Sequence, residues 1–534
     1  MPADLILHNA KIYTVDERRP WAEAAAMSNG RFQAVGDNQT ILKLAGPDTK
    51  LVDGKGRLAL PGLTDAHVHF LQVAIRGRQV SLFGVRDFAE VQRLVATAVA
   101  QTPPDQWVLG WGWDENLWDV APTAAHLDAI APDRPVALAR MDMHTWWVNS
   151  AALQIAGIDA HTPSPPESKI ERDENGRPNG ILREWNAIEL VQPHIPEPDE
   201  ANLAVWLRES IAAAHRLGIT GIHDQRVERE GQQSFRLWQA LRRQNKLKLR
   251  VHMNIAADFI GEADTLGLLP GFGDDYLWIG HAKAFADGTM GSRTASMLTP
   301  FEGEPANSGV IVPSAEELWQ IATQAATTGF AMSVHAIGDR AVREVIDVLG
   351  ERQTADAPAG LTLPHRIEHV QVIHPDDLPR LARHNLIASV QPVHLLTDWP
   401  TADNVWGDRA RYAYAFRSLL DQGTVLAFGS DAPVAPLNPM LGIFAALTRQ
   451  DERGLPEAGW YPQERLTLPE IIWAYTMGPA AMAGKTAVQG SITPGKWADL
   501  ILLADDLFTL PATAVKDAKV DMTIFDGQVV FKRD

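Results

Sequence analysis

Short runs in which apolar and polar residues alternate open the chain, from Asp4 to Val15, Arg31 to Gly36 and Lys50 to Gly54. Alternation with a period of two lays one face of each run on a core, and the Asn-Gly and Asp-Gly pairs between them make tight turns, so the pattern predicts hairpins. The same texture returns at the far end, in Ala498 to Leu503 and Met522 to Phe531. One small β-sandwich built from residues 1–60 and 486–534 is the expectation. Two separate β caps are the alternative.

Between these ends the rhythm changes to amphipathic helices alternating with continuous apolar strands, the signature of a parallel α/β sheet. The clearest unit begins at Ser314, where Glu317 completes a capping box, runs through Leu318, Ile321 and Ala325, and stops at Gly329 ahead of the strand Ala331 to His335. A second runs from Leu203 through Ile211 to Gly218 and gives way to Ile219 to Asp224. Candidate strands of a barrel over residues 61–485 are Leu60 to His67, Pro135 to Arg140, Ile219 to His223, Leu249 to Asn254, His281 to Phe285, Ala331 to His335, His365 to His369, Ile387 to Gln391 and Val425 to Ser430. An eight-stranded barrel has no room for all of these, and Pro135 to Arg140 or Leu249 to Asn254 is the one expected outside it. Residues from about 102 to 198, rich in Pro, Gly and Trp, read as an insertion that roofs the active face.

Composition narrows the function. A net charge of −18 excludes a nucleic-acid partner, which needs clustered Lys and Arg. The chain has 534 residues, 46% of them hydrophobic and 21% charged, as in a large globular enzyme. No apolar run reaches membrane-spanning length and the N-terminus lacks the features of a secretion signal, so no membrane partner and a cytoplasmic location are expected. With no cysteine, any metal must be held by His, carboxylate or modified Lys. Phosphate-cradling Gly-rich loops are missing, and Gly429-Ser430-Asp431 lacks the Gly-x-Ser-x-Gly frame of a serine nucleophile.

The chemistry concentrates at strand ends. His67 and His69 lie one residue apart at the end of an apolar run, and alternate residues of a strand face the same way, so two imidazoles aim at one point, as zinc accepts. Taken alone the pair reads first as two ordinary histidines at a strand end. Three later strands end in ligand-type residues, His335, His369 and Asp431, and a fourth carries Lys283 within a largely apolar run. Parallel barrel strands deliver their C-terminal ends to one face, where these six would meet. His394, just after the strand end Val390-Gln391, is a candidate for substrate or transition-state contact or for structure, and His223 is read as structural. Trp107, Trp111, Trp113, Trp118, Trp146, Trp147 and Trp185 either line an apolar or aromatic substrate pocket or pack the insertion.

These residues carry a resemblance. The chain resembles the amidohydrolase superfamily, in its family 3 or YtcJ-like branch, through Pro61-Gly62-Leu63-Thr64-Asp65-Ala66-His67-Val68-His69, Gly112 to Trp118, His144-Thr145-Trp146-Trp147-Val148-Asn149-Ser150, Asp287 to Ala295, His335-Ala336-Ile337-Gly338-Asp339-Arg340, Arg366-Ile367-Glu368-His369, Gly429-Ser430-Asp431-Ala432-Pro433 and Gly495 to Leu500. The resemblance implies a distorted (β/α)8 TIM barrel with a small β-sandwich from both termini, and a centre of one or two divalent ions, Zn2+ first. It implies His67, His69, His335, His369 and Asp431 as ligands and Lys283 as the lysine that becomes carboxylated in a binuclear centre. Burial beside cations favours the neutral amine that carbon dioxide attacks; an ion pair with Asp287 is the ordinary reading. It implies hydrolysis of carbon–nitrogen bonds other than peptide bonds, in an N-substituted formamide, an N-acyl amine or a carbamate, with Asp431 as the proton shuttle. His144 and Trp113 fall in its motifs as substrate-binding candidates. Ester or lactone hydrolysis and a non-catalytic binding or regulatory protein are the alternatives. The partner is a small amide-like molecule, and a homodimer is open.

Overall fold

The computed structural model describes residues 1–533 apart from 142–143, 167, 226–231, 312 and 353–362. Two compact units are present, Met1–Phe70 together with Arg208–Asp534, and Leu71–Leu207.

Eight parallel strands lie side by side in chain order in the first unit: β1 (Leu63–Val68), β2 (Ile219–Asp224), β3 (Arg250–Ala256), β4 (Leu277–Phe285), β5 (Met332–Ala336), β6 (Arg366–His369), β7 (Ile387–Val390) and β8 (Leu426–Phe428). Every residue of β1, β2, β3 and β5 is buried, which is why these segments read as apolar runs rather than as alternations. Past the end of β8 the sheet closes on β1. The Asp431 N–H donates to the His67 carbonyl at 2.7 Å and the His69 N–H to the Ala432 carbonyl at 2.9 Å. Ser430 donates its N–H (3.0 Å) and hydroxyl (2.5 Å) to the Asp65 carboxylate. The approach requires glycine at 429, since a Cβ there would lie 2.5 Å from the His67 backbone nitrogen.

Helices follow the strands as the apolar periodicity predicts. Ala315–Thr327 starts at the Ser314–Glu317 capping box, buries Leu318, Ala322 and Ala325, and is halted by Gly329 at φ 80°. Leu249 to Asn254 belongs to the barrel as β3, and Pro135 to Arg140 is the candidate that lies outside it, in the second unit. A uniformly apolar Val-Ala-Leu-Ala run carries nothing that says which sheet it joins.

The termini build one sandwich. Leu5–His8, Ala24–Ser28, Arg31–Gly36 and Lys50–Asp53 form a four-stranded sheet. Lys11–Tyr13, Trp21–Ala22 and Leu58–Pro61 join Leu500–Leu503, Val520–Phe525 and Gln528–Lys532 in a six-stranded one. Leu5, Leu7, Met27 and Phe32 of the first sheet pack on Ile12, Ala59, Leu500, Leu502 and Ile524 of the second. Arg250, buried at the start of β3, ties the sandwich to the barrel through Asp499 at 2.9 Å.

The second unit holds a six-stranded sheet whose outermost strands are Lys169–Arg172 and Val80–Ser81. Alternate residues of Val136–Arg140 and Thr145–Val148 feed two apolar clusters. Trp113, Trp118 and Trp147 fill one, and Trp107, Trp146 and Trp185 pack against the other. Packing therefore accounts for these indoles. No described helix is long and apolar enough to cross a membrane.

Candidate metal centre

The C-terminal ends of the barrel strands bring the sequence candidates together. His67 stands near the end of β1 and His69 just beyond it, with their Nε2 atoms 3.3 and 3.4 Å from Oδ1 of Asp431. His67 Nε2 is buried and has no hydrogen-bond partner despite that proximity. Ligand atoms around a four-coordinate cation with bonds of about 2.1 Å lie roughly 3.4 Å apart, so the spacing suits a shared ion better than a hydrogen bond. One possible ligand atom each from His67, His69 and Asp431 falls within 4.8 Å of the others, and the same holds for His369, His394 and Asp431. Asp431 is the member common to both sets.

His335 lies outside both sets, with its ring centroid 4.5 Å from that of His369. Lys283 sits near the end of β4, 2% exposed and paired in register with Ser333 of β5. Its expected neighbour Asp287 accepts instead from the backbone N–H groups of Ser296, Ile337 and Gly338 at 2.8–3.0 Å, and burial pushes that carboxyl up to about 7. His144 and Trp113 belong to the second unit. Trp113 is fully buried and donates its Nε1–H to the Leu138 carbonyl at 2.8 Å; His144 meets Glu184 at 2.9 Å.

Three of these imidazoles are oriented through one ring nitrogen. His67 donates from Nδ1 to Glu368 Oε2 at 2.6 Å, His369 from Nδ1 to Gln391 Oε1 at 2.8 Å, and His335 from Nε2 to the Gly288 carbonyl at 3.0 Å. The acceptors fix the tautomers and leave Nε2 of His67, Nε2 of His369 and Nδ1 of His335 as lone pairs. Burial lowers His335 to about 3 and holds His369 well below the ordinary histidine range, so both rings are neutral, as a ligand must be. Burial alone would raise Asp431, but His67 and His69 beside it hold the carboxyl well below its usual range. Burial lowers Lys283 to about 8 against the opposing pull of Glu368 and Asp431. Imidazole nitrogens gathered around one anionic carboxylate are a donor set that fits a zinc-class divalent cation.

Sequence reasoning missed Glu368, Gln391 and Asp65. Glu368 is fully buried, accepts from Ser333 Oγ at 2.7 Å and from Arg366, and is held well below the usual carboxylate range because Arg366 and His67 outweigh the effect of burial. The available signal was Arg366 and Glu368 two apart in an apolar strand, hence on the same interior face. Arg366 also donates to His223 Nδ1 at 2.9 Å, confirming His223 as part of the buried interior. The backbone at His369 (φ 71°) and Asp431 (φ 58°) is left-handed, a conformation that costs about 1–3 kcal/mol per residue and clusters at working sites.

An eight-stranded parallel barrel with a His/Asp cluster at its C-terminal ends defines a metal-dependent hydrolase. A sequence model described as the amidohydrolase family matches residues 50–531, and the chain belongs to that family. It is 30% identical to the putative amidohydrolase YtcJ of Bacillus subtilis (strain 168) over 99% of both chains. It is 28% identical to an N-substituted formamide deformylase of Arthrobacter pascens, over 99% of this chain and 98% of that one. The structure of a metal-dependent hydrolase from Pyrococcus horikoshii OT3 superposes with a TM-score of 0.78 at 26% identity, covering 95% of this chain and 99% of the other.

Proposed function

We propose that this amidohydrolase cleaves non-peptide carbon–nitrogen bonds in small amide-like molecules, of N-substituted formamide, N-acyl amine or carbamate type. The observation that carries the reading is Asp431, whose carboxylate lies against two sets of histidines and whose neighbour His67 keeps a buried, unpartnered Nε2. The formamide member of the substrate class rests on the similarity to the Arthrobacter pascens enzyme.

His67, His69 and Asp431 would hold the first cation, with His335 and His369 at hand for a second. Lys283 is buried and not paired with Asp287, and its lowered basicity favours carboxylation, which would add an anionic oxygen ligand. When bound, a cation of this class acidifies water toward neutrality and polarises a carbonyl oxygen. The chain's own residues manage the proton. Asp431, anionic and acceptor-only, takes a proton from the attacking water and returns it to the leaving nitrogen as the C–N bond breaks, so that amide and water yield acid and amine. Glu368, Gln391 and Gly288 hold the three imidazoles in register while this happens.

The test is amine and acid release from a panel of N-alkyl and N-aryl formamides, N-acyl amines and carbamates against matched esters and lactones, using zinc-reconstituted protein. Amide or carbamate turnover that a chelator abolishes is expected, with Asp431→Asn slowed by about 10²–10⁴-fold. Turnover of esters or lactones alone, or an Asp431→Asn protein that keeps its metal and its full rate, refutes the reading.

A further inference from the structure

His394 has no satisfied role in the fold. Its Nε2 is buried and finds no hydrogen-bond partner, and the nearest carboxylate oxygen, Oδ2 of Asp431, is 3.8 Å away, too far for a hydrogen bond. Leaving a buried ring nitrogen without a partner is unfavourable, and His394 Nε2 is placed to take one. The chain places the ring deliberately. His394 ends the 3-10 turn Pro392–His394 directly after β7, and its imidazole lies nearly parallel to that of His369, 19° between planes and 6.3 Å between centroids. Gln391, in the same segment, takes the Nδ1–H of His369 and thereby leaves Nε2 of His369 free.

Asp431 completes the pattern by dividing its two oxygens. Oδ1 lies 3.3 and 3.4 Å from His67 and His69, while Oδ2 is the oxygen nearer His394. Ligand atoms of His369, His394 and Asp431 all fall within 4.8 Å of one another. We propose that His394 is a metal ligand: with His369 and Oδ2 of Asp431 it holds a second divalent cation, and the Asp431 carboxylate bridges that ion to the one on His67 and His69. This set is complete without modified lysine, so carboxylation of Lys283 adds a ligand to the centre but is not required for its second ion. The inference rests on the metal-dependent reading above and goes beyond it in assigning His394.

The experiment is metal counting on the full chain, stripped and then reconstituted with Co2+ in bicarbonate buffer, with elemental analysis after removal of free metal. Wild type is expected to hold two ions per chain, Lys283→Met two, and His394→Ala and His394→Gln one. The manganese-loaded wild type is expected to show the exchange-coupled spectrum of two carboxylate-bridged ions, a reading that needs no variant to fold. Two ions in folded His394→Gln reduce His394 to a substrate contact and overturn the inference. One ion in Lys283→Met overturns the sufficiency of the set. One ion in wild type, or an uncoupled manganese spectrum, overturns the second site and leaves a mononuclear hydrolase. No ion in wild type removes the hydrolase reading itself.

Discussion

Replacing Glu368 with glutamine tests how the centre is supported, because every neighbour of that carboxylate is a donor. His67 Nδ1 approaches one oxygen at 2.6 Å, Ser333 Oγ the other at 2.7 Å, and the Arg366 guanidinium reaches both. Glutamine keeps one acceptor oxygen and turns the other into an NH2 group that confronts donors, while Arg366, itself fully buried, loses its counter-charge. Breaking a buried pair from one side costs about 3–5 kcal/mol. Loss of the carboxylate behind a liganding histidine weakens metal binding by about 10–100-fold, equivalent to roughly 1.4–2.8 kcal/mol. Urea unfolding of the metal-free proteins reads the first quantity and competition with a chromophoric chelator the second. Ser333→Ala is the control, since it removes one hydrogen bond and no charge and should cost about 1 kcal/mol with wild-type metal affinity. A Glu368→Gln protein with wild-type urea midpoint and wild-type metal affinity would show that the His67–Glu368–Arg366 chain is not what orients the ligand.

Acid sensitivity should follow from His365, whose Nδ1 accepts the Met332 N–H at 2.8 Å and which burial lowers from 6.5 to about 4. A base with a depressed folded pKa binds its proton more readily in the unfolded chain, so its contribution is intact above pH 6.5 and lost as the pH falls toward 4. The shift of 6.5 − 4 is worth about 3 kcal/mol. His365→Asn keeps an acceptor near the Nδ1 position and does not titrate; its urea midpoint should fall less than that of wild type between pH 7 and pH 4, and parallel curves would exclude His365 as a source of acid lability. Gly429→Ala should cut both stability and metal binding, because the added methyl would lie 2.5 Å from the His67 nitrogen and 2.9 Å from Asp65 Oδ1, and it falsifies the described β1–β8 closure if metal affinity is unchanged.

The barrel was legible because its strands are buried on both faces and its helices are amphipathic and capped, two patterns that leave different periods in one sequence. The sandwich was legible from alternation and turn residues at both ends. The fate of Pro135 to Arg140 was not, because apolar strands of equal length serve a barrel or another sheet equally well. At the centre, His67, His69, His369 and Asp431 could be read because strand ends converge. His335 does converge, yet its Nε2 is committed to the Gly288 carbonyl, and no pattern of residue types encodes which ring nitrogen faces inward. The supporting groups were hidden for the same reason. Gln391 and Glu368 act through hydrogen bonds to residues on other strands, and sequence spacing within one strand says nothing about the neighbour across it.

The pattern of those bonds bears on how the centre works. His67 of β1 is pinned by Glu368 of β6, His369 of β6 by Gln391 after β7, and His335 of β5 by Gly288 after β4, so each of these imidazoles is clamped by an element other than its own. Asp431 and His69 are further fixed by the backbone bonds that close β8 on β1. The left-handed backbone at His369 and Asp431 sits within this network of strand pairing and closing hydrogen bonds. In small domains that fold around their metal, binding energy is consumed in ordering the chain. Here strand pairing and buried hydrogen bonds already order these side chains, so the free energy of binding a cation would remain available for affinity. Substitutions of Glu368 or Gln391, which bond the histidines directly, should then alter metal affinity and barrel stability together, whereas substitutions of His394, which clamps no other strand among the described residues, should alter metal content alone.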